Sequence, residues 1–210
     1  MDATSDDYVH LIEQGEGESQ ATLVMLHGTG GNEREMASLG HALADAALPG
    51  AAVLAIRGDV LEAGMPRFFR RRAEGVYDMA DLARATAKLQ GFLPDALERA
   101  GRDPAQAIGI GYSNGANALA NLMFSQPHAL GRWALLHPLI PFEPAIDDAT
   151  GTEVFIGAGM QDPICTPDQT RALITALEQA GAEVETAWQP GGHALTQPEL
   201  AALARWLAAA

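Results

Sequence analysis

The chain has 210 residues, of which 48% are hydrophobic and 19% are charged, a composition that excludes a disordered chain, a collagen and a coiled coil. Its 13 Lys and Arg residues against 27 Asp and Glu residues give a formal net charge of −14. That charge disfavours nucleic acids and anionic membranes as partners, since both attract basic surfaces. A chain of this length predicts one domain covering residues 1–210.

The sequence also bears on redox chemistry and on the cellular compartment. A single cysteine, Cys165, excludes an intrachain disulfide and a metal site built from several cysteines. The first ten residues are acidic and polar, unlike a secretory signal. The chain contains no apolar run of about 18 residues, the length that spans a membrane. We therefore expect a cytoplasmic protein without stable membrane insertion.

Apolar runs alternate with helical periodicity along the chain, which is typical of an α/β protein. The predicted strands cover residues 8–12, 21–26, 51–56, 107–111, 132–136, 152–157 and 182–188. The predicted helices cover residues 33–48, 78–100, a segment from about 114, 168–180 and 196–208. We expect a mainly parallel sheet of about seven strands with helices on both faces, and chemistry at the carboxyl ends of its strands.

A candidate nucleophile lies in the pentapeptide Gly111-Tyr112-Ser113-Asn114-Gly115. This segment matches G-x-S-x-G and stands between a predicted strand and a predicted helix, which is the context that a nucleophilic serine on a sharp turn requires. A turn that merely needs glycines is the simpler alternative. The glycines also resemble a dinucleotide fingerprint, but no acidic residue follows at the required distance of about 20 positions.

An activated serine needs a base, and three of the six histidines follow a predicted strand: His27, His137 and His193. His193 lies in a loop with two glycines after the last strand, from which it can reach the serine, so it is the predicted base. His27 is interpreted as ordering its own loop through a backbone hydrogen bond. His137 is interpreted as a pocket-lining residue or as a packed wall residue.

The acid that orients the base is predicted to be Asp162, in a turn after the strand at 152–157. Asp168 is a rival, but its place after a proline is typical of a helix start. Asp147, Asp148 and Glu153 lie before or within the preceding strand, on the wrong side of the sheet. The resulting order of serine, acid and histidine is that of α/β-hydrolases.

Hydrolysis by a serine also needs two N–H donors directed at the developing oxyanion. One predicted donor is the amide of Asn114, which follows the nucleophile. The other is the amide of Thr29, in the glycine-rich loop 27–32 after the second predicted strand. A simple glycine-rich turn is the alternative interpretation of that loop.

Together these motifs resemble the phospholipase/carboxylesterase family of α/β-hydrolases. The resemblance covers about residues 20–207 and rests on four segments: Leu26-His27-Gly28-Thr29-Gly30-Gly31-Asn32, Gly111-Tyr112-Ser113-Asn114-Gly115-Ala116, Gly159-x-x-Asp162-Pro163 and Gly191-Gly192-His193. Residues 64–70, with Glu74-Gly75 and Asp78, are similar to a branch of small bacterial esterases linked to hydroquinone resistance. Dienelactone hydrolases are of similar size but carry a cysteine at the elbow, where this chain has Ser113.

The resemblance implies an α/β-hydrolase fold without a separate cap domain. It further implies a serine hydrolase that cleaves small to medium acyl or aryl esters through an acyl-enzyme, with no metal or organic cofactor. An acyl-protein thioesterase or lysophospholipase and a non-catalytic ligand-binding protein are the alternatives. The implied partner is a small-molecule ester, and a homodimer formed through an apolar surface stays open.

Residues 58–76 follow a strand and should overhang the site. The pocket is predicted to include Met65, Phe68, Phe69, His137 and Trp188. The arginines at 67 and 70–72 form a local basic patch in an acidic chain, which suggests attraction of acidic or phenolic substrates. The favoured alternative is that these arginines pair with carboxylates while the phenylalanines pack below them.

Overall fold

The computed structural model describes residues 7–17 and 19–209. In this part of the chain, the strands are β1 (His10–Glu13), β2 (Thr22–Leu26), β3 (Ala52–Ile56), β4 (Val60–Glu62), β5 (Met65–Arg67), β6 (Arg71–Ala73), β7 (Val76–Tyr77), β8 (Ala107–Tyr112), β9 (Arg132–Leu136), β10 (Glu153–Gly159) and β11 (Glu183–Gln189). The α-helices are α1 (Glu33–Ala47), α2 (Met79–Arg99), α3 (Asn114–Ser125), α4 (Pro167–Gln179) and α5 (Gln197–Ala208).

Seven of these strands form one sheet in the order β1-β3-β2-β8-β9-β10-β11. Only β1 is antiparallel to its neighbour in this sheet, and the other pairs are parallel. The chain leaves β2 towards β3 on one side and leaves β8 towards β9 on the other. This reversal opens a crevice at the carboxyl ends of β2 and β8, the usual ligand position in such sheets.

The apolar runs become buried strands because both faces of the sheet are covered. Along β2, Leu23 and Met25 pack with α1 and α5, whereas Val24 and Leu26 face the cluster that contains α2, α3 and α4. All four side chains are fully buried. This alternation between two apolar layers explains why the strands lack alternating polar residues, and it confirms the predicted fold class.

The predicted helices and main strands begin and end within about two residues of the observed bounds, the usual precision at element ends. Asp78 accepts a hydrogen bond from the Asp81 amide and caps α2, as its position in the sequence indicated. Gly101 follows α2 with φ +68°, a conformation that favours glycine. None of the helices in the described residues is long and apolar enough to cross a membrane.

The segment between β3 and α2 forms two small antiparallel hairpins, β4–β5 and β6–β7. Their strands have only two or three residues, too few for a hydrophobic period, so the sequence does not predict them. Gly30 N–H donates to the Pro66 carbonyl at 3.0 Å and joins this segment to the loop after β2. The hairpins therefore lie over the carboxyl end of the sheet, where an overhanging segment was expected.

An ion pair joins the start of α1 to Arg57, the residue that follows β3. The Arg57 guanidinium donates from Nε and Nη2 to the two oxygens of Glu33, at 2.5 and 2.6 Å. Glu33 is 3% exposed and Arg57 is 41% exposed. The hydrogen bonds from Arg57 lower the pKa of Glu33 below its ordinary value, although burial acts in the opposite direction.

Replacing Glu33 by Gln should lower the free energy of unfolding at pH 7 by about 1.5 kcal/mol, the low end for hydrogen bonds to charged groups. Because the pKa of Glu33 is lower in the folded state, its contribution is present above the unfolded pKa and is lost as pH falls through the folded pKa. The difference in Tm between native protein and Glu33→Gln should therefore shrink on acidification, which thermal unfolding at several pH values measures.

Glu35→Gln is the matched control, since Glu35 lies in the same helical turn but is exposed. It should change Tm little at any pH. A Glu33→Gln difference that stays constant down to pH 3 would contradict the assigned role of the ion pair.

Candidate active site

Ser113 lies on a strained turn between β8 and α3, with φ +50° and ψ −113°. Neighbouring backbone crowds this turn on both sides. A Cβ on Gly111 would lie 2.6 Å from the Ala116 nitrogen, and one on Gly115 would lie 2.4 Å from the Leu26 carbonyl oxygen. The two glycines of the motif are therefore required by contact, and the strain is of the kind found at functional sites.

The structure brings Ser113, His193 and Asp162 together in one hydrogen-bonded chain. His193 Nε2 is 2.8 Å from Ser113 Oγ, and His193 Nδ1 is 2.8 Å from Asp162 Oδ2. These side chains come from three separate loops at the carboxyl ends of β8, β10 and β11. The structure thus brings together the three residues that the sequence predicted as serine, base and acid.

Two contacts hold the loop that carries His193. The Tyr112 hydroxyl donates to the His193 carbonyl oxygen at 2.9 Å. Gln161 N–H donates to the Gly191 carbonyl oxygen at 2.9 Å, which ties this loop to the turn containing Asp162. The base and the acid are thus fixed relative to each other by backbone contacts as well as by their own hydrogen bond.

Asp162 is a buried carboxylate that accepts several hydrogen bonds. Its Oδ1 accepts from the amides of Ile164 and Cys165, at 2.9 and 3.0 Å. Its Oδ2 accepts from His193 and also lies 2.9 Å from His137 Nδ1. Burial acts to raise the pKa of Asp162, but these hydrogen bonds outweigh it and lower the pKa below its ordinary value, so the group is ionised at neutral pH.

Asp168, the alternative candidate for the acid, and His27, another histidine that follows a strand, have other partners. Asp168 lies in the first turn of α4 and pairs with Arg171 at 3.0 Å, as its position after a proline suggested. His27 accepts from the Gly58 amide at Nε2 and therefore donates from Nδ1 to the Gly28 carbonyl oxygen at 2.6 Å. His27 thus orders the loop after β2, in agreement with its interpretation from the sequence.

The amides predicted as oxyanion donors belong to residues of one cavity wall, since Thr29, Ser113 and Asn114 all line the cavity. The backbone N–H of Asn114 lies at the N-terminus of α3, where the first N–H groups have no partner within the helix. Asn114 Oδ1 accepts from the Phe68 amide at 2.8 Å, and Thr29 Oγ1 accepts from Arg67 Nη1 at 2.5 Å. The hairpin segment therefore holds both residues from outside.

The cavity beside Ser113 has a volume of about 290 Å³. Its wall combines polar and apolar surface and includes Thr29, Arg67, Arg71, Glu74, Gly75, Tyr77, Tyr112, Ser113, Asn114, Asn117, Leu139, Ile164, Cys165 and His193. Only two of these residues, Leu139 and Ile164, carry large aliphatic side chains. A cavity of this size and polarity fits a small ligand.

None of the predicted pocket residues belongs to the wall of this cavity. Phe68 and Phe69 are fully buried and pack behind it against His27 and Tyr77. Met65 is 41% exposed on β5. Burial therefore separates the two phenylalanines from the cavity, whereas Met65 lies at the surface.

The other two predicted pocket residues also lie outside this wall. Trp188 lies half-buried on the edge strand β11 with the Arg171 guanidinium 5.2 Å from its ring centre. His137 is fully buried behind the cavity, where its ring contacts Asp162 and Glu199. His137 therefore belongs to the hydrogen-bonded site rather than to the pocket wall.

Sequence reasoning missed Glu199, which approaches His137 from the first turn of α5. Its segment Thr196-Gln197-Pro198-Glu199 matches a capping box, and the structure contains that box. The only signal in the sequence therefore indicated a helix start. A contact to a histidine 62 positions earlier has no local signature.

The arginine-rich segment is divided between the cavity and the outer surface. Arg67 and Arg71 line the cavity and share the Glu62 carboxylate at 3.4 and 2.8 Å. Arg70 is 68% exposed and lies 3.7 Å from Asp81. Pairing with carboxylates above buried phenylalanines is the alternative that the sequence analysis favoured, although two of the arginines do face the cavity.

Potential metal-ligand atoms on His137, Asp162 and His193 lie within 4.8 Å of one another. Each of these atoms already takes part in a hydrogen bond of 2.8 to 2.9 Å within the group. A metal ion there would have to replace the contacts that order the serine and its base. The donor set is thus suited to proton transfer.

Comparisons with known proteins cover nearly the whole chain. It is 42% identical over 198 residues to a protein of Bacillus subtilis (strain 168) named "Putative hydrolase MhqD", covering 94% of this chain and 96% of that protein. It is similar to the crystal structure of the Bacillus cereus carboxylesterase, with 41% identity, a TM-score of 0.88 and coverage of 94% of this chain and 92% of that one.

A third similar protein has no assigned function. The crystal structure of Atu2452 from Agrobacterium tumefaciens strain C58 matches with 46% identity, a TM-score of 0.87 and coverage of 96% of both chains. No protein-family model matches the chain. The likeness in sequence and fold therefore rests on individual relatives.

Replacing Gly111 by Ala should destabilise the elbow, because its Cβ would meet backbone atoms that cannot move aside. We expect a loss of about 1–3 kcal/mol in the free energy of unfolding, as for overpacked interiors. Chemical denaturation measures this loss.

Gly91→Ala is the matched control, since Gly91 lies within α2 and a Cβ there would meet nothing within 4 Å. It should stabilise the protein by about 0.5–1 kcal/mol, the difference between Gly and Ala in a helix. Equal effects of the two substitutions would contradict the steric account of the elbow.

Proposed function

Because this chain belongs to the carboxylesterase family of α/β-hydrolases, we propose that it hydrolyses small carboxylic esters through an acyl-enzyme on Ser113. The observation that carries the proposal is the chain from Ser113 Oγ through His193 to Asp162, with both contacts at 2.8 Å. Ser113 and His193 line a cavity of about 290 Å³, a volume near the lower end of the range for ligand pockets. The substrate is therefore a small ester.

In the first step Ser113 Oγ attacks the ester carbonyl carbon while His193 Nε2 takes its proton. The His193 Nδ1–H bond to Asp162 keeps Nε2 free to accept that proton, and the ionised Asp162 stabilises the imidazolium that forms. The amides of Thr29 and Asn114 donate to the oxyanion. A donor of this kind contributes about 3–4 kcal/mol to transition-state stabilisation.

The second half of the reaction uses the same groups in reverse. As the tetrahedral intermediate collapses, the bond from carbon to the leaving oxygen breaks and His193 Nε2–H protonates that oxygen. His193 then takes a proton from a water molecule that attacks the acyl carbon, and the Ser113 hydroxyl is restored with release of the acid.

A deacylase for long acyl chains is the second candidate. An open groove of about 600 Å³, lined by Ile140, Phe142 and Leu173 among others, lies next to the cavity-lining Leu139 in the chain. A long acyl chain would need such an apolar path beyond the polar cavity. A protein that only binds its ligand is the third alternative, and an intact hydrogen-bonded Ser113 argues against it.

The decisive measurement is hydrolysis of a p-nitrophenyl ester series from acetate to palmitate. We expect the highest kcat/KM among the shortest acyl chains, because a cavity of about 290 Å³ has no room for long ones. Ser113→Ala should lower kcat by about 10⁴-fold or more, as in other serine hydrolases.

Ser125→Ala is the control for this series, since Ser125 ends the same helix α3 and donates to the Leu122 carbonyl oxygen. It should leave the rates unchanged. An optimum at long chains would favour the deacylase, and a folded native protein without activity on any ester would overturn the proposal.

Arg67 generates a further prediction, because its hydrogen bond to Thr29 Oγ1 fixes the loop that carries an oxyanion donor. Arg67→Lys should lower kcat/KM by about tenfold, since small displacements of positioning groups are costly. Rates should be measured for p-nitrophenyl acetate and for p-nitrophenyl hemisuccinate, which carries a carboxylate. An equal loss on both esters is expected.

Arg70→Lys serves as the control because Arg70 points away from the cavity, and it should change neither rate more than about twofold, as is usual for exposed residues. A loss confined to the acidic ester would show instead that Arg67 binds the substrate carboxylate.

A further inference from the structure

A second imidazole lies behind the Ser113–His193–Asp162 chain. His137 Nδ1 is 2.9 Å from Asp162 Oδ2, the same oxygen that accepts from His193. His137 Nε2 faces the Glu199 carboxylate at 3.2 and 3.3 Å. The side chains of His137, Asp162 and Glu199 are all 0% exposed, so their contacts with one another replace those with water.

The backbone holds His137 in an unfavourable conformation to make these contacts. Its φ is +51°, which few residues other than glycine adopt. Its amide donates to the Gly157 carbonyl oxygen at 2.8 Å, and its carbonyl oxygen accepts from Cys165 Sγ at 3.1 Å. Strain that is held in place by surrounding contacts is typical of functional sites.

The sheet also leaves room for Glu199. A Cβ on Gly157 would lie only 2.1 Å from Glu199 Oε1, so the carboxylate occupies space that any other residue would fill. Glu199 is thus enclosed by β10 and by its own helix. Its carboxylate therefore faces His137 and not solvent.

The carboxylates of Asp162 and Glu199, which face the two nitrogens of the His137 ring, determine where its protons lie. Asp162 is ionised, so His137 must donate from Nδ1 to avoid two lone pairs facing each other. Burial acts to lower the pKa of His137, but its hydrogen bonds to Glu199 and Asp162 outweigh burial and raise it. The other titratable groups around this ring are His193, Tyr112 and Cys165.

We propose that His137 is a positioning residue of this active site: its Nδ1–H, oriented by Glu199, fixes the Asp162 oxygen that receives the proton of His193 Nδ1. This inference rests on the function proposed above and adds a group to it. His137 itself does not line the cavity, so it acts on the reaction through Asp162 and the orientation of the base.

Two substitutions distinguish the contribution of His137 Nδ1 from that of His137 Nε2. An Asn side chain can place its amide near the position of Nδ1 and still donate to Asp162, whereas a Gln side chain reaches towards Glu199 and leaves Asp162 without this donor. Both remove the ring and should lower Tm to a similar extent. A purely structural role of His137 therefore predicts the same activity for both variants.

We expect His137→Gln to lower kcat by about 100-fold with KM within about threefold, in the range found when the partners that orient a functional group are removed. His137→Asn should lower kcat by less than about tenfold, because the donor to Asp162 is restored. The kcat and KM values on p-nitrophenyl acetate measure both effects. Equal kcat losses in the two variants, in proportion to their Tm, would overturn the proposal.

Nuclear magnetic resonance tests the same contact without any turnover. In native protein at pH 7, the ¹⁵N signal of His137 Nδ1 should be that of a protonated nitrogen, and a bare Nδ1 would overturn the proposal even if neither variant folds. The downfield proton of His193 Nδ1 should persist in His137→Asn and be lost in His137→Gln.

These resonances also distinguish a failure of the proposed ester hydrolysis from a failure of the positioning role of His137. If native protein hydrolyses no ester but the His193 signal follows the substitutions as expected, the proposed function fails and the positioning role stands. If esters are hydrolysed but the His193 proton is unaffected by His137→Gln, the proposed function stands and the positioning role fails.

Discussion

Four donors converge on the buried carboxylate of Asp162, and the rest of the site depends on them. Two backbone amides hold one oxygen, while the imidazoles of His193 and His137 share the other. A buried carboxylate without such partners would take up a proton and lose its function as an acceptor. Because Asp162 stays ionised, it can orient His193 and stabilise positive charge on that ring.

The sheet converts positions far apart in the chain into neighbours. Parallel strands place all their carboxyl ends on one edge, so the loops after β2, β8, β10 and β11 meet there. The loop after β2 carries Thr29, and the turn after β8 carries Ser113. The connections after these two parallel strands leave towards opposite edges of the sheet, and the crevice between them becomes the cavity.

The hairpins between β3 and α2 complete the site from outside the sheet. Arg67 donates to Thr29, the Phe68 amide donates to Asn114, and Pro66 accepts from Gly30. These contacts hold the glycine-rich loop and the start of α3 from the solvent side. The hairpin segment thereby adds a third wall to the site.

The sequence by itself determined the order of strands and helices, the elbow around Ser113 and the positions of Asp162 and His193. These features depend on local properties: apolar runs, glycines at a crowded turn, and polar residues directly after strands. The hairpins escaped prediction because their strands are too short to show a period.

Only the tertiary structure decided that His137 and Glu199 join the site and that Phe68, Phe69 and Trp188 stay out of the cavity. His137 lies 25 positions from Asp162 and 62 from Glu199, and no local pattern records such distances. Which side chain faces a cavity and which packs behind it depends on how the hairpins, β10 and α5 close over one another. That choice is made by packing and burial, which act between segments and not within them.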